Sequence, residues 1–151
     1  LYNNNYEFVQ TEDYIVLRTE MISHARIIPI NSEHKMAALA PMFGESVAHW
    51  DGDTLVVETT NFSPMQEEAA ISLTSSGKVV ERFTRVSKEQ IVYEFTVDDP
   101  AYYSQPWHGE LSFLSTPSKV YEYACHEGNY AMSGILAGAR RAEHDQQQTE
   151  Q

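Results

Sequence analysis

Glu45-Ser46-Val47-Ala48-His49-Trp50-Asp51-Gly52-Asp53-Thr54-Leu55-Val56-Val57-Glu58-Thr59-Thr60 reads as two extended runs folded back on each other around a tight turn. The arms, Glu45 to Trp50 and Thr54 to Thr60, alternate apolar with polar residues and are rich in β-branched side chains, which suit a pleated, half-buried surface. Asp-Gly between such arms is a strong hairpin signal, because glycine accepts the positive φ that the corner requires.

The same alternation recurs on both sides of this hairpin. Strands are expected at Tyr6 to Gln10, Tyr14 to Met21, Ala25 to Ile30, Lys78 to Val86, Gln90 to Asp98, Trp107 to Leu114 and Lys119 to Cys125. Thr11-Glu12-Asp13 and Ser87-Lys88-Glu89 are further turn candidates, so sequential pairing predicts an antiparallel meander. Two longer connections interrupt it, Asn31 to Gly44 and Asn61 to Gly77, with short stretches of helical potential at Met36 to Leu39 and Met65 to Ile71. Loops of that length commonly cap a core or carry function. From Asn129 to Glu143 the period changes to that of a helix, with Met132, Ile135, Leu136 and Ala139 on one stripe. Asp145 to Gln151 is polar and is expected to fray.

The expected fold is therefore mainly β: an antiparallel β-barrel or curved β-sandwich of about eight or nine strands, with a C-terminal helix across one opening. Alternation does not separate barrel from sandwich. One β-rich domain over residues 1–144 followed by a tail is expected, with Val57, Phe83, Tyr93, Phe95, Leu111 and Tyr121 in one core.

Composition narrows the function. The 151 residues carry 22 acidic against 10 basic side chains, a formal charge of -12, so nucleic acid and anionic lipid are poor partners. No apolar run approaches the roughly 20 residues that cross a bilayer, and membrane insertion is not expected. The chain opens at Leu1 close to a strand, which reads as a processed or trimmed product. Cys125 is the single cysteine and reads as a half-buried structural thiol; its neighbour His126 would point to the opposite face of a strand.

The run His49 to Phe62 resembles the W-x-G-D-T-L-V-V-x-T-x-x-F core of a large family of uncharacterised bacterial secreted proteins. Glu81-Arg82-Phe83-Thr84-Arg85, Asp99-Pro100 through Pro106-Trp107, and Glu122-Tyr123-Ala124-Cys125-His126-Glu127-Gly128-Asn129-Tyr130 stand in the order that family shows. The resemblance implies a periplasmic or extracellular setting and names no catalytic residue.

The candidate sites are few. Glu20, His24, His49 and His108, with Arg26 and Glu110, lie near strand ends, where some would converge for acid–base chemistry at one rim. Tyr102, Tyr103 and Trp107, between Pro100 and Pro106, offer an aromatic surface to a glycan, another small molecule or a protein, or plug one end of the core. Asp51, Asp53 and Glu58 supply too few oxygens for a cation, and the histidine spacings lack a ligand pair, so no metal or cofactor is expected.

Two functions follow. One is a secreted structural or binding module that self-assembles into an oligomer or filament through Leu1 to Asn5, the aromatic loop or the polar tail. The other is a small lyase, isomerase or hydrolase working at a barrel mouth.

Overall fold

The computed structural model describes residues 5–21, 24–35, 40–121 and 130–149. The chain divides into two compact units, Leu1–Tyr121 and Glu122–Gln151, a division earlier than the 1–144 span read from the sequence. The first holds every described strand: β1 (Tyr6–Gln10), β2 (Tyr14–Thr19), β3 (Ala25–Pro29), β4 (Glu45–Asp51), β5 (Thr54–Thr60), β6 (Lys78–Arg85), β7 (Gln90–Asp98) and β8 (Trp107–Leu114). The second holds α1 (Ala131–Thr149).

All strand pairings are antiparallel and join neighbours in sequence, giving a three-stranded sheet β1-β2-β3 and a five-stranded sheet β4-β5-β6-β7-β8. A single parallel bridge, Ile30 to Ala48, carries the chain from the first to the second. The β4–β5 hairpin forms as expected: Asp51 pairs with Thr54, and Gly52 takes the corner at φ 59°. Among the described residues no hydrogen-bonded ladder joins β1 to β8, so the architecture is that of two sheets enclosing a shared interior rather than a closed barrel.

Register explains the interior. Leu55, Phe83 and Tyr93 are cross-strand neighbours on one face of the larger sheet, and Val57, Glu81 and Phe95 form the next row. The smaller sheet contributes Ile15, Leu17 and Ile28, which pack with Ala48, Leu55, Val57 and Phe83 into one cluster. A second cluster gathers Phe62, Leu73 and Val97, with Phe95, Tyr103 and Trp107 against it.

Several expectations change. Phe95 belongs mainly to the second cluster. Leu111 lies across from Tyr93 but on the edge strand, and it stays 55% exposed; Tyr121 is 68% exposed. Lys119 to Tyr121, the described part of the expected ninth strand, is not extended into a ladder, and the rest of that segment with Cys125 and His126 lies outside the described residues. So do Leu1 to Asn4 and the short stretch Met36 to Leu39. In place of a helix from Met65 to Ile71 there is one 3-10 turn, Pro64–Glu68, begun by Ser63 accepting a hydrogen bond from the Met65 amide. Asp145 does not begin a frayed tail, because α1 continues to Thr149. No described helix is long and apolar enough to cross a membrane.

Candidate functional site

Between the two sheets lies a cavity of about 590 Å³, walled largely by Leu17, Phe43, Phe62, Phe83, Tyr93 and Phe113. That volume falls within the range of sites that enclose a small organic molecule. The rings form a continuous wall: Phe83 stacks on Tyr93 at 4.8 Å, Tyr93 on Phe113 at 5.2 Å, and Phe113 on Tyr6 of β1 at 5.0 Å between centroids.

Into this apolar wall two charged side chains project from opposite sheets. On β3, alternation places Ile28 inward at 1% exposure and Ile27 outward at 67%, and Arg26 shares the inward parity with Ile28. On β6, Glu81 shares the inward parity of Val79 and Phe83 and is 6% exposed. The two meet in a forked pair, Nη1 to Oε1 at 3.1 Å and Nη2 to Oε2 at 2.6 Å. Arg26 Nη2 also approaches the Ser46 and Thr59 hydroxyls at 3.0 and 3.1 Å. The Tyr93 hydroxyl donates to Glu81 Oε1 at 3.1 Å. A charge buried this far is tolerated when it is both paired and hydrogen-bonded, as here.

The titrations follow from this arrangement. Burial alone would lower the Arg26 pKa, but the adjacent Glu81 carboxylate more than offsets it, so the guanidinium holds its proton more firmly than usual. Burial and the Glu81 charge likewise push the Tyr93 hydroxyl well above its ordinary range, and it remains a neutral donor. The polar centre of the wall is thus one cation, one anion and one phenol.

His24 lies one turn of alternation from Arg26 and also lines the cavity, its ring 4.3 Å from that of Phe43. Burial and then the Arg26 charge lower its pKa, so the neutral imidazole is favoured. Phe43 is carried there by the loop before β4, whose Gly44 has φ 73°; a Cβ at Gly44 would stand 2.7 Å from the Thr60 carbonyl oxygen.

Of the acid–base candidates, His24 and Arg26 line the cavity, whereas Glu110 is exposed on β8 across from Glu94. Glu20 instead accepts from the Asn5 side-chain amide at 2.7 Å. His49 pairs with Val56 and His108 with Thr96, both exposed and on the opposite parity from Val57 and Phe95. In the aromatic loop, Trp107 meets Phe95 edge-on at 5.6 Å and Tyr103 at 5.9 Å, so both pack into the second cluster. Tyr102 is 44% exposed and donates to Glu67 at 3.0 Å.

Glu81 and Tyr93 were not among the site residues expected from sequence, although a signal existed. Glu81 stands two residues from both Val79 and Phe83, at a position where alternation demands an apolar side chain.

Other clusters are less suited to a ligand. A second cavity, about 830 Å³, is rimmed by Arg18, Arg85, Lys88 and Glu89. Its arginines are already engaged, Arg18 with the Val120 carbonyl at 2.6 Å and Arg85 with those of Ser87 and Lys88. On the outer parity of β5, His34 lies 3.6 Å from Glu45 and 3.5 Å from Glu58, which is also paired with Lys78. Among the described residues no group of three His, Cys, Asp or Glu side chains is placed to hold a metal ion. No family model, curated protein or solved structure matches the chain.

Proposed function

We propose that this chain is a binding module that holds one small, mainly apolar molecule between its two sheets. The observation that carries this reading is the cavity of about 590 Å³ whose aromatic walls surround a charge pair that neutralises itself. Apolar enclosure supplies affinity and a few fixed polar groups supply orientation, the usual division of labour in small-molecule sites. Binding is favoured over acid–base catalysis because Glu20, His49 and His108 stand away from the cavity, while both oxygens of Glu81 are occupied by Arg26 and Tyr93. The resemblance of the His49 to Phe62 run supports a periplasmic or extracellular setting, which fractionation of cells making the native chain would test.

Titration with N-phenylnaphthylamine, an uncharged dye that fluoresces in apolar surroundings, tests the reading. One dye per chain is expected, with binding lost when Val79→Phe or Thr19→Phe fills the cavity. No saturable binding, or binding indifferent to both fillings, overturns it.

Self-association is a second reading, favoured by β8, which among the described residues is an edge strand and carries Leu111 and Leu114 at 55% and 74% exposure. Sedimentation of the native chain over a range of concentrations decides it: a concentration-independent monomer removes this reading.

A further inference from the structure

The cavity wall offers hydrogen-bond acceptors and has committed most of its donors, the buried Arg26 Nε–H being one left without a partner among the described residues. The Thr19 hydroxyl donates to the Met21 carbonyl at 2.9 Å, the Gln66 amide nitrogen to the Met42 carbonyl at 2.9 Å, and the Tyr93 hydroxyl to Glu81 at 3.1 Å. Arg26 directs its terminal nitrogens to Glu81, Ser46 and Thr59. What remains facing the space includes the lone pairs of Tyr93 Oη and the His24 ring, whose neutral form presents one acceptor nitrogen beside one N–H. Among the described residues the His24 ring has an aromatic neighbour, Phe43, and no hydrogen-bond partner.

Charge selects further. Among the described residues Arg26 is the one cation on the wall other than the titratable His24, and Glu81 already neutralises it through two contacts. A carboxylate ligand would therefore meet Glu81 without a free counter-charge, and an ammonium would meet Arg26. Neither is compensated in a space this apolar.

We propose that the molecule held in this cavity is an uncharged ring compound bearing a hydroxyl, whose O–H donates to the His24 imidazole while its ring lies against Phe43, Phe83 and Tyr93. This rests on the binding reading above and deepens it to a ligand class. Neutral imidazole has one ring nitrogen able to accept, and imidazolium has none. Acidification therefore removes the contact. The other titratable groups facing His24 across the space, Tyr6, Arg26, Glu81 and Tyr93, come from β1, β3, β6 and β7. Arg26 and Tyr93 keep their protons throughout, since both are raised above their ordinary values.

Displacement of N-phenylnaphthylamine by naphthol, methoxynaphthalene and naphthoate tests the assignment on the intact chain. Naphthol is expected to bind about fivefold more tightly than its methyl ether, the value of one hydrogen bond, and naphthoate more weakly than either. The preference for naphthol should shrink between about pH 7.5 and about pH 5. His24→Leu should abolish the preference while still binding the dye, and His24→Gln, which keeps an acceptor that does not titrate, should retain it at both pH values. Equal affinity for naphthol and its ether, tightest binding of naphthoate, or a preference untouched by His24→Leu overturns the assignment. Failure of the dye itself to bind refutes the cavity reading instead.

Discussion

Arg26 on β3 and Glu81 on β6 face each other across the interior with two nitrogen–oxygen contacts of 2.6 and 3.1 Å. Among the described residues they are the one pair through which the two sheets exchange full charges inside an apolar space. Removing one member strands the other without water. Arg26→Met or Glu81→Leu should each cost about 3–5 kcal/mol, whereas the double replacement should recover most of that loss, because two apolar side chains of similar size leave no buried charge. Urea unfolding of the three variants measures this. Single losses below about 1 kcal/mol would show that water reaches the pair.

Stability near neutral pH should depend on His24. Its folded pKa is lowered from 6.5 by burial and by Arg26, so below 6.5 the unfolded chain takes up a proton more readily than the folded one. The His24 contribution is complete above 6.5 and is lost as pH falls from there through the folded value. His24→Gln should flatten this part of the profile relative to the parent. An unchanged slope in urea midpoints would remove His24 from that role.

A second, more acidic limb should come from Asp99, which is 1% exposed and accepts from the backbone amides of Thr74 at 2.6 Å and Ala101 at 3.0 Å. Burial acts to raise its pKa, but these hydrogen bonds outweigh it and hold the carboxyl below 3.8. Its stabilisation is present above that value and disappears as pH falls through the folded one. Asp99→Ala should cost about 3 kcal/mol at neutral pH, since it leaves two amides without their charged acceptor. A loss under about 1 kcal/mol would mean that the two amides find other acceptors.

Gly44→Ala should destabilise by about 1–3 kcal/mol and weaken dye binding together. The added Cβ meets the Thr60 carbonyl at 2.7 Å and the Phe62 ring at 2.9 Å, at a φ of 73° that alanine disfavours. Phe43, next in the chain, would be shifted with it. A variant as stable as the parent with intact binding would show that this loop position is forgiving.

How much of this was legible beforehand depended on whether the information was local. Eight strands were, because alternation and turn chemistry are written within a few residues, and Gly52 sits where Asp-Gly between two apolar arms requires it. Leu111 was misassigned to the core because parity tells which face a residue takes, not whether anything stands opposite it, and Tyr121 because the strand expected there does not form over Lys119 to Tyr121. The cavity was the least legible part. Arg26 and Glu81 are 55 residues apart; the sequence places Arg26 among several titratable groups near strand ends and does not single out Glu81, and only the inward parity of Ile28 and of Val79 and Phe83 marks the two as core positions. Pairing those two exceptions with each other needs the fold.

Among the described strands, the first and last are held together differently from all the others. Between β1 and β8 there is stacking, Tyr6 on Phe113 at 5.0 Å and Phe8 near it at 6.5 Å, where elsewhere in each sheet there are backbone ladders. Rings slide and part at little cost, whereas ladder bonds break cooperatively. This side of the molecule is therefore its seam: amide protons along β1 and β8 should exchange ahead of those on β5 and β6, and a molecule too large for the resting cavity would be admitted by spreading the rings there, with the bridge from Ile30 to Ala48 acting as the spine opposite.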